Sequence, residues 1–210
     1  MNVGVQFVSP SDVVTSMLVD LFETIENSAS GSSKTGSAEA TDFAFFTGKC
    51  ENYIKQKGVY AIIDGRDTRR GREGYTLLHA AARVGNMELA KYLIGHGADV
   101  NAVDNSRNLQ TPLMFAINAH MFDVGVLLAL HGGRLDAEDC NGENIFHYFA
   151  RVNNALYLKK TVAISKISPS EIQAIASKES ILKKKSLPEK YANSKSIIFD
   201  VLTSYREQGK

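Results

Sequence analysis

Cysteine is scarce in this chain: Cys50 and Cys140 are the two among 210 residues, and they stand in no CxxC or Cys/His ligand spacing. That argues against a disulfide-stapled scaffold and against a cysteine-built zinc site. No apolar run approaches the roughly 18 residues that a membrane span needs. Met1 to Pro10 contains no basic residue, and the apolar stretch that follows is broken by Asp12, Asp20 and Glu23. The expectation is therefore a soluble, uncleaved chain, with a reducing cytoplasm as the simplest compartment. An excess of either charge is also missing. Lys and Arg number 24 against 23 Asp and Glu, a net charge of +1 that leaves no global field to attract nucleic acid. No Gly-rich phosphate loop, metal-ligand cluster or nucleophile motif is recognisable, so no cofactor, metal or catalytic residue is expected. At 44% hydrophobic and 22% charged, the composition is that of an ordinary globular chain.

What the chain does contain is repetition. Residues 74–104, beginning Gly74-Tyr-Thr-Leu-Leu-His79-Ala and ending Gly97-Ala-Asp99, form one unit, and the pattern returns downstream. Thr76, Thr111 and Asn144 open three successive units at spacings of 35 and 33 residues. Gly97 and Gly132 each follow their threonine by 21 residues. Leu89-Ala90 with Leu93-Ile94, Val124-Gly125 with Leu128-Ala129, and Tyr157-Leu158 with Thr161-Val162 fall in one register. This pattern resembles the ankyrin-repeat family, whose T-P-L-H-x-A signature opens a helix, a turn and a second helix with a period near 33. The resemblance implies an all-α solenoid of helix-turn-helix units with turn or hairpin fingers, and a job in binding protein.

The residue types suit that fold. Each helix pair is too small to bury its own apolar face, so neighbouring units must supply one another's core. Thr76 and Thr111 suit helix N-caps, and Pro112 suits a first helical position where no N–H donor is required. Leu77 replaces that proline in the first clear unit. The turn between the two helices, where the family usually carries Gly, reads Gly85, His120 and Asn153, all residue types that tolerate a positive φ. His120 thus has a structural reading rather than a catalytic one. His79 and His147 fill the histidine slot of the signature, which in this family bonds within the loop network, while Met114 replaces it in the middle unit. His96 and His131 recur 35 residues apart at the end of the second helix and read as architectural.

About five units are expected, the terminal ones degenerate. Residues 1–27 read as an amphipathic helix starting near Ser9-Pro10-Ser11-Asp12, with Val13, Val14, Met17, Leu18, Leu21, Phe22 and Ile25 on one face. Residues 28–41, rich in Ser and Gly, read as a flexible linker that tethers this helix to the stack. The helix then either covers an open end of the stack or serves a partner or a second copy. Residues 42–210 form the repeat domain. Within it, 42–71 is a degenerate first repeat, with a helix turn at Gly48 and a long finger, and 72–106, 107–139 and 140–166 are the clear repeats. An inserted helix and connector follow at 167–185, and a closing repeat at 186–210.

Function in such a family commonly lies in the fingers and on the concave inner face. Counted from Asp139, Asp104 and Asp64, the fingers run five, seven and twelve residues to the next helix cap. The longest holds Arg66, Arg69, Arg70 and Arg72, a density read here as binding rather than packing, since arginine recognises carboxylate and phosphate in a bidentate way. Arg107 decorates the second finger. The inner-face positions map to Tyr75, Arg83 and Val84, then Gln110, Asn118 and Ala119, then Glu143, Arg151 and Val152. The lysine run Lys183 to Lys185 is too short to read as a nucleic-acid signal.

The expected function is a non-catalytic interaction module or adaptor, monomeric, that holds an acidic protein surface. Two alternatives stand beside it: a binder of nucleic acid or phospholipid headgroups, and an effector of an intracellular bacterium that acts on host proteins in the host cytoplasm. A Cys–His hydrolase built on Cys50 or Cys140 has no support beyond the presence of those residues.

Overall fold

Helix boundaries in this protein follow from the side chains at their ends. The computed structural model describes residues 10–30 and 36–171, apart from 73, 107, 166 and 169. Among these are α1 (Pro10–Ser30), α2 (Gly36–Lys57), α3 (Val59–Ile63), α4 (Leu77–Val84), α5 (Met87–Gly95), α6 (Pro112–Asn118), α7 (Phe122–Leu130), α8 (Ile145–Val152) and α9 (Ala155–Ile164). Thr76, Thr111 and Asn144 are the N-caps of α4, α6 and α8, and Pro112 takes the first position of α6. The His79 and His147 rings accept the backbone N–H of Thr76 and Asn144 through Nδ1, each at 3.1 Å. These bonds satisfy donors that a helix start leaves open. The turns between paired helices are left-handed as expected, with φ of 78° at Gly85, 62° at His120 and 53° at Asn153.

Three helix pairs, α4–α5, α6–α7 and α8–α9, stack side by side, with α4, α6 and α8 forming one row and α5, α7 and α9 the other. The described residues thus form an all-α stack, its core filled by Leu77, Leu78, Leu93, Leu113, Ile117, Leu128, Phe146 and Leu158. No named strand occurs among them. An isolated bridge between Arg66 and Thr76 marks the base of the first finger.

The N-terminal part departs from the sequence reading. A turn at Gly48 was expected, yet α2 runs unbroken through it. The α1 helix instead supplies the first-helix partner, packing against α2, α3 and α4 at the head of the inner row. Leu18, Leu21, Phe22 and Ile25 are at most 5% exposed. Burying four such side chains contributes roughly 6–12 kcal/mol of gross transfer free energy before chain entropy is charged against it. The approach is close: a Cβ on Gly65 would lie 2.4 Å from Leu18 Cδ2.

Helix also invades both ends of the expected linker, with Ser28–Ser30 closing α1 and residues from Gly36 opening α2. Ala38, Glu39 and Ala40 are good helix formers, and their propensity outweighs the Ser and Gly content there. The Ser168 N–H donates to Glu171 Oε2 at 2.9 Å and the Glu171 N–H to Ser168 Oγ at 3.3 Å, the reciprocal cap of a helix start. The remainder of the inserted segment, Lys183 to Lys185 and the closing repeat lie outside the described residues.

Candidate interaction surface

Each finger is organised by an aspartate. The Asp139 backbone N–H donates to Glu143 O (2.9 Å), while Oδ1 accepts from the N–H groups of Asn141 (2.7 Å) and Glu143 (2.9 Å). Asp104 repeats this with Gln110, at 3.0 Å outward and 2.8 Å in return. In the first finger the equivalent residue is Asp67, which donates to Tyr75 O (2.7 Å) and accepts from Arg69 N (2.9 Å). Asp64, from which the finger was measured in sequence, instead accepts the backbone N–H of Asp99 at 3.2 Å. The first finger therefore closes over the nine residues from Asp67 to Thr76 rather than twelve from Asp64. Asp67 is buried because it nucleates a turn against the protein, as Asx residues do.

The finger arginines turn inward. Glu26, on α1, receives Arg69, Arg72 and Arg83, with Arg83 Nη2 at 2.7 Å and Arg69 Nη1 at 3.4 Å. Arg69 also forks onto buried Asp67, Nη2 to Oδ2 at 2.7 Å, and lies 5.5 Å from the centroid of the Phe22 ring. Burial would raise the Glu26 carboxyl, yet the Arg72 hydrogen bond and the charges of Arg69, Arg72 and Arg83 hold it below its ordinary value. Arg66 Nη1 donates to Gly74 O (2.8 Å) and to Val103 O (2.7 Å), tying the first finger to the second. The expectation that so basic a loop does not serve packing is thereby corrected. A carboxylate supplied from 43 residues earlier in the chain makes the loop part of the fold. Arg70 is the arginine of this group that the structure leaves exposed.

The inner face is similarly built. Tyr75 stacks on His79 (centroids 5.9 Å apart) and meets Phe115 edge-on at 4.7 Å. His79 Nε2 reaches Gln110 O at 3.1 Å, so the neutral ring straps the base of the first finger to that of the second. Burial pushes its pKa down to about 4. The Gln110 side chain donates to Tyr148 Oη, whose own proton goes to Asp139 Oδ2 at 2.9 Å. Arg151 pairs with Glu143 and lies over the Tyr148 ring. Val84 and Val152 are half-buried against the core, Asn118 is exposed, and Arg107 lies outside the described residues.

Sequence reasoning missed Glu26, Asp67 and Tyr148. Asp67 could have been found from the 37-residue spacing to Asp104, close to the 35 from Asp104 to Asp139. Glu26 carried no such signal. Among the described residues, no group of three or more His, Cys, Asp or Glu side chains could hold a metal ion, and no helix is long and apolar enough to cross a membrane. Burial pushes the Cys50 thiol up to about 11, the opposite of an activated nucleophile.

Residues 50–139 match the family model described as ankyrin repeats. The chain is 35% identical over 78 residues to the B-cell lymphoma 3 protein homolog of Mus musculus, covering 37% of this chain and 17% of that protein. It is 36% identical over 72 residues to transient receptor potential cation channel subfamily A member 1 of Homo sapiens, covering 34% and 6%. Over 85 residues it is 39% identical to ankyrin repeat domain-containing protein 31 of Homo sapiens, covering 40% and 4%. The chain thus spans a small fraction of the length of these relatives.

Proposed function

From a stack whose residues 50–139 are ankyrin repeats, generally protein-interaction modules, we propose that this protein is a non-catalytic binding module or adaptor. Its fingers and concave face hold a protein surface that carries carboxylates. The supporting observation is that the fingers form a fixed rank: Arg66 bonds Val103 O, and the Cys140 N–H donates to Asn108 O at 2.9 Å. A rank locked in advance loses little conformational entropy on binding. Within it, Arg70, Tyr75, Gln110 and Asn118 are the contact residues. Arg66, Arg69, Arg72, Arg83, Val84 and Arg151 form the frame beneath them, and Arg107 extends the second finger's contribution.

Selection from a displayed library of random peptides tests this reading. The chain should enrich sequences with Asp or Glu beside apolar residues, and Arg70→Ser should weaken their binding several-fold and reduce its salt dependence. Failure to enrich any peptide would sink the reading. Binding that heparin displaces whatever the peptide sequence would favour a generic polyanion site instead.

A further inference from the structure

One backbone position recurs in all three fingers among the described residues, two residues before the helix N-cap. It is Gly74 in the first (φ 83°), Leu109 in the second (φ 53°) and Gly142 in the third (φ 69°). The geometry demands a left-handed residue, and two of the three fingers supply glycine. A leucine in that region is an outlier, because its Cβ crowds the neighbouring carbonyl oxygen. Space separates the first two fingers at this position. A Cβ on Gly74 would lie 2.3 Å from the backbone nitrogen of Asn105, whereas Leu109 is 47% exposed.

Burial of the side chain in the core thus does not explain the strained leucine. Strain that the fold does not use is a pointer to function. The finger that carries it is also held on both sides, by Arg66 at Val103 O and by Cys140 N at Asn108 O. Val103, 40% exposed, adds a second apolar side chain to the same finger. An aliphatic group on a rigid finger, with a guanidinium bonded to its backbone, suits a partner surface with an apolar patch bordered by carboxylates. Apolar anchors ringed by polar contacts carry most of the affinity in such interfaces.

We propose that Leu109 is the apolar anchor through which this chain engages its protein partner, the inference resting on the interaction reading above. The test uses the full chain and the peptides that it enriches from the displayed library. Leu109→Gly and Leu109→Asn should leave the thermal midpoint unchanged or raise it by about 1–3 °C, since strain relief outweighs the entropy that glycine adds to the unfolded state. Asparagine already occupies φ 53° at Asn153. Both variants should weaken the enriched peptides at least tenfold, while Leu109→Met stays within about threefold, methionine being a close apolar substitute. A midpoint lowered by several degrees in both variants would make Leu109 a packing residue and overturn the inference. So would peptide binding that survives both substitutions, with the interaction reading left standing. A wild-type chain that enriches no peptide would sink both.

Discussion

The first and second fingers are neighbours built on the same aspartate turn, and they use their side chains in opposite directions. The first is long and basic, and Arg66, Arg69 and Arg72 close onto Gly74 O, Val103 O, Asp67 and Glu26. The second is shorter, and it holds Leu109 and Val103 toward solvent. Charge density in a loop therefore does not reveal which way the loop faces. A guanidinium with five donors is satisfied readily by carbonyls and carboxylates of its own chain. An exposed leucine at positive φ has no such internal use.

Three measurements would break or sharpen this contrast. The largest effect should come from Phe22→Ala, which empties a side chain 1% exposed between α1 and the first finger. Loss of about 3–5 kcal/mol of stability is expected by chemical denaturation. A change below about 0.5 kcal/mol would mean that α1 does not anchor the head of the stack and that the first finger stands without it.

Acid should act next, and on both fingers together, through His79. Its folded pKa is depressed from 6.5 to about 4, so the neutral ring favours the fold. That stability is complete above about pH 6.5 and is lost as pH falls toward 4, up to roughly 3 kcal/mol in all. Denaturation midpoints measured between pH 7 and 4 check this. A flat profile would show that the ring does not strap the fingers in its neutral form.

The smallest effect belongs to Glu26→Gln, which should cost about 1–2 kcal/mol, since Glu26 is 20% exposed and solvent screens part of its attraction for the arginines. The sign with pH is again fixed by a depressed folded pKa. Wild-type stability from this carboxylate is present above its ordinary value of 4.5 and fades below it, so wild type and variant should converge in acid. Equal stability at pH 7 would release the three arginines from the frame and restore the partner-binding role that the sequence suggests for them.

Much of the stack was legible in the sequence because repetition is a local signal. Thr76, Thr111 and Asn144 fix the period, and Gly85, His120 and Asn153 mark turns whose φ the structure bears out. The head of the stack was less legible. Apolar spacing along α1 identified the face with Leu18, Leu21, Phe22 and Ile25, but spacing alone leaves the surface that covers such a face undefined. Ser and Gly at 28–41 suggested a tether, whereas burial of that face and the helix formers Ala38 to Ala40 favour helix on either side.

Sequence by itself thus determined the repeat, its caps, its left-handed turns and the helical face of α1, all properties of residues within a few positions of one another. Tertiary structure decided what lies opposite those elements. It made α1 the partner of α2, set Glu26 against Arg69, Arg72 and Arg83, moved the start of the first finger to Asp67, and left Leu109 exposed. The physical reason is range: capping and φ preferences act through covalently near atoms, while ion pairing and burial depend on groups that only folding brings together.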